Sequence, residues 1–100
     1  MIAKNIVLEI NKNVLKRFEP NLNDGTVFLF DMKNEQIWTG NASVDYFLRF
    51  INGENTLEKI YNELFQLFED YTKEEIISSY DLVITSLIKK GFLVIKNDTH

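Results

Sequence analysis

The stretch from Thr56 to Leu93 limits what this chain can fold into more than any other part of it. Thr56 precedes a run with apolar residues at Leu57, Ile60, Tyr61, Leu64, Phe65 and Phe68, the spacing of one face of a helix. Thr72 and Glu75 then sit three apart, as in a capping box, where each side chain satisfies a backbone donor at the other's end. A longer apolar stripe follows, through Ile76, Ile77, Tyr80, Val83, Ile84, Leu87 and Ile88. Lys89 and Lys90 suit the negative end of a helix dipole, and Gly91 suits a left-handed stop. Two capped amphipathic helices joined by Glu69-Asp70-Tyr71 require an apolar surface to pack on.

Upstream of them the period changes. Ile6 to Ile10, Val14 to Phe18, Thr26 to Phe30 and Gln36 to Thr39 read as strands, and Met32-Lys33-Asn34-Glu35 turns the last two into an antiparallel hairpin. Pro20 to Gly25 is a loop by its turn chemistry. Asn41 is placed to cap a first helix that buries Val44, Phe47, Leu48 and Ile51 and stops at Asn52-Gly53. Phe92 to Ile95 suits a last short strand. The fold expected is α+β, a winged helix-turn-helix with an N-terminal three-stranded antiparallel sheet followed by three helices. In the strand Thr26 to Phe30, Val27 and Leu29 point one way and Phe28 and Phe30 the other, so both faces of the sheet are apolar. Either the N-terminal strand Ile6 to Ile10 folds over the second face, or that face is left for a partner.

Chemistry is sparse. The chain has no cysteine and one histidine, His100, at the very end. Ser43, Ser78, Ser79 and Ser86 have no histidine to activate them, and capping or surface roles suffice for them. The acidic group Glu69, Asp70, Glu74 and Glu75 matches no calcium-loop spacing, and acidic residues early in a helix already have a structural reason. No metal, cofactor or catalytic residue is expected, and no apolar run is long enough to span a bilayer. With a net charge of −4 and only Arg17 and Arg49 as arginines, the third helix is a poor DNA reader: its outward positions offer Lys73, Glu74, Ser78, Ser79, Asp81, Leu82, Thr85 and Ser86. A cytoplasmic domain that is not an enzyme and binds neither nucleic acid nor membrane is the reading. Trp38, on the last hairpin strand, is suited to anchor a bound peptide or to fill core space.

Across about four fifths of its length, from Val14 to Leu93, the chain resembles the PqqD-like proteins. These are the small subunits or fused domains called RiPP recognition elements, which serve ribosomally made, post-translationally modified peptides. The residues that carry the resemblance are Asn41 opening the first helix, Phe47-Leu48, Asn52-Gly53 and Thr56-Leu57-Glu58-Lys59-Ile60. In the third helix they are Glu74-Glu75-Ile76, Val83-Ile84, Leu87 and Gly91-Phe92-Leu93. Gly40 departs from the family's usual leucine, and Ser79 and Asn52 stand where aspartates are common. Residues 1–12 have no clear counterpart in the family and read as an N-terminal extension with room for an extra strand, 13–96 as the domain that resembles it, and 97–100 as a tail expected to fray. The resemblance implies an adaptor that binds the leader of a precursor peptide and presents it to a separate modifying enzyme, such as a radical-SAM maturase. The leader would add as a strand beside Glu35, Gln36, Ile37, Trp38 and Thr39, against a helix wall of Ile76, Ser79, Tyr80, Val83 and Ser86. The alternatives are a winged-helix DNA-binding regulator, or a structural dimerisation module that uses the Phe28/Phe30 face, so a homodimer is compatible with the reading.

Overall fold

A computed structural model describes residues 4–96. The elements run β1 (Leu8–Ile10), β2 (Val14–Glu19), β3 (Thr26–Asp31), β4 (Gln36–Asn41), α1 (Ala42–Arg49), α2 (Leu57–Leu67), α3 (Lys73–Lys89) and β5 (Leu93–Ile95). The architecture is α+β, with small antiparallel sheets and three helices. The described residues form two sheets, not one: β2-β3-β4 has three strands, and β1 pairs with β5 in a separate ribbon. His100 and the tail 97–100 lie outside the described residues.

The central strand sets the layering. Val27, Leu29 and Asp31 of β3 are buried, while Thr26, Phe28 and Phe30 alternate with them on the opposite face. Cross-strand partners share a face, so Lys16, Leu29 and Trp38 form one inward row, and Phe18, Val27 and Gly40 the next. The helices pack on this inner face. Val44, Phe47 and Leu48 of α1, Leu57, Ile60, Tyr61 and Leu64 of α2, and Ile76, Tyr80, Ile84 and Leu87 of α3 join Val27 and Leu29 in one core. Phe65, read from its spacing as part of the α2 stripe, is instead exposed.

Local chemistry fixes the helix ends. The Asn41 Oδ1 accepts from the Ser43 and Val44 N–H groups, Thr56 Oγ1 from Lys59, and both bonds of the Thr72/Glu75 capping box are formed. At the end of α3, Phe92 N–H reaches the Leu87 carbonyl and Gly91 N–H the Ile88 carbonyl, a Schellman pattern closed by Gly91 at φ +84°. α1 ends at Arg49, earlier than its apolar spacing suggests. Phe50 and Ile51 make tight i−3 bonds, the Asn52 side chain takes the N–H groups of Glu54 and Asn55, and Asn55 caps the Phe50 carbonyl.

The N-terminal strand does not fold over the Phe28/Phe30 face. It runs the other way, pairing Leu8, Glu9 and Ile10 with Ile95, Val94 and Leu93. Leu8 enters the common core. The Ile6 and Lys4 carbonyls accept the Leu57 and Glu58 N–H groups, which leaves the start of α2 without open donors there. Asn11 completes the strap, its side chain donating to the Gly91 carbonyl at 3.0 Å.

One ion-pair cluster joins sheet to helix. Asp45 of α1 is buried, accepting from Lys16 Nζ at 3.0 Å and from Arg49 Nε at 2.7 Å. The Arg49 guanidinium also lies over the rings of Phe18 and Tyr46. A second buried carboxylate, Asp31, shapes the β3–β4 turn. The Asn34 side chain donates to it, and this bond together with the Asn34 and Lys33 N–H groups holds its carboxyl below the usual range against the opposing effect of desolvation.

A cleft between the edge strand and the third helix

β4 is hydrogen-bonded only to β3 within its sheet, so its other side presents unpaired backbone groups among the described residues. β2 is the opposite edge. The two differ in protection: β2 carries Lys16, Arg17 and Glu19 and runs into Pro20, whereas β4 holds no charged residue from Gln36 to Asn41.

Where β4 passes into α1, a cavity of about 400 Å³ opens between that junction, the α2–α3 turn and the first half of α3. The junction contributes Asn41, Ser43 and Val44, and the turn contributes Phe68 and Tyr71. α3 adds Glu75, Ile76, Ser79, Tyr80 and Val83. These helix residues fall on one side because 75, 76, 79, 80 and 83 are three and four apart. The walls are tied together. Tyr80 donates to the Ser43 carbonyl at 2.7 Å, its ring lies 5.6 Å from that of Phe47, and burial pushes its phenol above the usual value. Tyr46, Phe68 and Tyr71 make successive edge-to-face contacts around the turn. The carboxylate of Glu75 is engaged by the Thr72 N–H at 2.9 Å, and Ser79 donates to the Glu75 carbonyl at 2.8 Å. What remains is an apolar, aromatic-walled recess with hydroxyl groups at its rim, suited to hold a bulky apolar side chain.

Four of the five helix positions named from the sequence line this cavity: Ile76, Ser79, Tyr80 and Val83. Ser86 does not. It lies less than one turn beyond Val83 on α3, half-buried, with its carbonyl bonded to Lys90. Of the strand positions, Gln36 to Thr39 lie on β4, while Glu35 belongs to the preceding turn with φ +54°. None of the five lines the cavity, which meets the strand at Asn41. Trp38 is half-buried and faces inward against the core, so it does not stand exposed on the edge. Its ring covers Gly40, where an added Cβ would come within 2.7 Å of it. The glycine is therefore the partner of the tryptophan, whose ring occupies the space a larger residue at position 40 would need.

Sequence reasoning missed Phe68 and Tyr71 as cavity residues. Phe68 reads as part of the α2 stripe and Tyr71 as turn, and only the backbone path from α2 to α3 aims both at α1. Asn41 and Glu75 read as caps, and they are caps that also line the recess.

No protein-family model, curated protein or solved structure matches the chain.

Proposed function

We propose that this protein is a peptide-binding adaptor with a winged helix-turn-helix fold, acting in the cytoplasm. Its ligand is the leader of a ribosomally made precursor peptide, which it presents to a separate modifying enzyme such as a radical-SAM maturase. The leader adds as a strand to the outer side of β4, and a bulky apolar side chain from it enters the recess lined by Ile76, Tyr80 and Val83. The observation that carries this reading is an uncharged edge strand that ends at an apolar recess. Strand addition draws affinity from backbone hydrogen bonds and selectivity from pockets for alternate side chains. The adaptor needs no catalytic group of its own, because holding the substrate raises its effective concentration at the enzyme.

The reading can be tested with peptides selected on the protein from a displayed library of extended sequences. Val83→Asp and Ile37→Pro should each lower the affinity of a selected peptide at least tenfold. Peptides that bind both variants as well as the parent would refute the site. The DNA-binding alternative predicts salt-dependent binding of duplex DNA. The outward positions of α3, among them Glu74, Asp81 and Leu82, disfavour it.

A further inference from the structure

The pairing of β2 with β3 decides which backbone groups of β4 face outward. Met32 N–H donates to the Asn13 carbonyl at 2.9 Å, and these two residues stand opposite each other, one step beyond Val14 and Asp31. In an antiparallel pair such bonded positions alternate with unbonded ones. Phe28 and Phe30 therefore turn their backbone groups to β2, while Val27, Leu29 and Asp31 turn theirs to β4. Their partners on β4 are Gly40, Trp38 and Gln36. Ile37 and Thr39 are left with N–H and C=O groups directed away from the sheet, toward any strand added there.

Side chains follow the same register. A strand laid beside β4 alternates in step with it, because cross-strand partners share a face. The residue opposite Gly40 points toward the helices, and the residue opposite Ile37 points to the outer face. Gly40 is the inward position of β4 nearest the recess, which meets the strand at Asn41. It has no side chain, and a Cβ added there would lie 3.2 Å from the Val44 Cβ, an atom of a residue that lines the recess. The inner face of the edge thus opens on the recess at position 40. At position 37 the surroundings are different. Leu15, Phe30 and Ile37 are direct cross-strand partners in an apolar row that crosses the three strands and stops at the β4 edge, where Ile37 is 66% exposed. An added strand places one side chain at the end of that row.

We propose that the segment bound at β4 carries two apolar residues three positions apart: a bulky one opposite Gly40 that fills the recess, and a second opposite Ile37 that continues the outer row. The proposal rests on the peptide-adaptor reading and gives it a register. Residues three apart in an extended strand lie on opposite faces, so the two contacts clasp the edge of the sheet from both sides. A slip of one residue would turn the anchor outward and empty the recess, which makes the pair of contacts a check on register.

Alanine scanning of a peptide selected on the protein from a displayed library of extended sequences tests this. Two positions three apart should dominate. Truncating the anchor should weaken binding about tenfold or more, and truncating the second about two- to fivefold. Double-mutant cycles then locate each one. The anchor should couple to Val83→Ala and not to Ile37→Ala, and the second residue should couple to Ile37→Ala and not to Val83→Ala. Ile37 is exposed, so its truncation should leave the fold intact, which the unfolding transition of the variant checks. Binders that are lost in Val83→Asp but whose sensitive positions lie two or four apart, or whose couplings are exchanged, overturn the register and leave the adaptor reading standing. A library that yields no binder, or only binders indifferent to Val83→Asp, defeats the adaptor reading and the register with it.

Discussion

β2 and β4 flank the same central strand and pair with it over the same six residues of β3, yet they end the sheet in different ways. β2 is a closed edge. Lys16 is tied inward to Asp45, Arg17 and Glu19 pair along the strand, and Pro20 ends it. Charges and proline on an exposed edge prevent another strand from adding. β4 has neither. Its Trp38 turns inward onto Gly40, its other residues are uncharged, and it leads directly into the recess against α3. Two edges of one sheet thus carry opposite instructions, and only one of them suits an added strand.

The largest effect tests what the edges share. Leu29 of β3 is fully buried between them, and Leu29→Ala should cost about 2–5 kcal/mol in chemical denaturation, because the cavity cannot collapse against a sheet. A cost below 1 kcal/mol would mean the strands do not depend on a common centre. Next comes the tie that commits β2. Asp45→Ala removes the carboxylate that Lys16 and Arg49 share, and should destabilise the fold by about 1–3 kcal/mol. The two cations are partly exposed and regain water, which keeps the loss below that of a fully buried pair.

Trp38→Ala asks the corresponding question of β4. The ring is half-buried over Gly40, so the substitution should cost about 2 kcal/mol of stability, less than for a fully buried tryptophan. Unchanged stability combined with lost peptide binding would show that the ring anchors ligand and does not pack on the core.

The smallest effect lies away from both edges. The Tyr61 hydroxyl is buried with no hydrogen-bond partner among the described residues. Tyr61→Phe should therefore be neutral or stabilising by up to about 1 kcal/mol. Burial, and then the charge of Asp81, push the Tyr61 phenol up to about 12 from 10.0. The folded state keeps its proton where the unfolded chain loses it. Stability should fall as pH rises above 10, and less steeply in Tyr61→Phe. An identical alkaline slope in the two proteins would refute this.

The features legible in the sequence are those decided within a few residues. Asn41, Thr56, the Thr72/Glu75 pair and Gly91 cap helices through contacts two to five positions away, and the alternation of β3 shows its two faces directly. The β1–β5 ribbon was not legible, because it joins distant ends of the chain: Asn11 and Gly91 are 80 residues apart. The Lys16–Asp45 pair spans 29 residues. The inward turn of Trp38 depends on its register opposite Leu29, and a shift of one residue would have sent it outward. Four cavity residues on α3 follow from helical spacing, while Phe68 and Tyr71 depend on the path of a turn.

Hydrogen exchange along β4 tests the difference between the edges most directly. In an antiparallel pair, alternate residues point their N–H groups away from the partner strand. In the free protein the outward amides between Gln36 and Asn41 should exchange quickly while the inward ones are protected by β3. Adding a peptide selected on the protein should protect the outward amides of β4 and leave those of β2 unchanged. Outward β4 amides that are already protected without peptide, or protection that appears on β2 instead, would contradict the account.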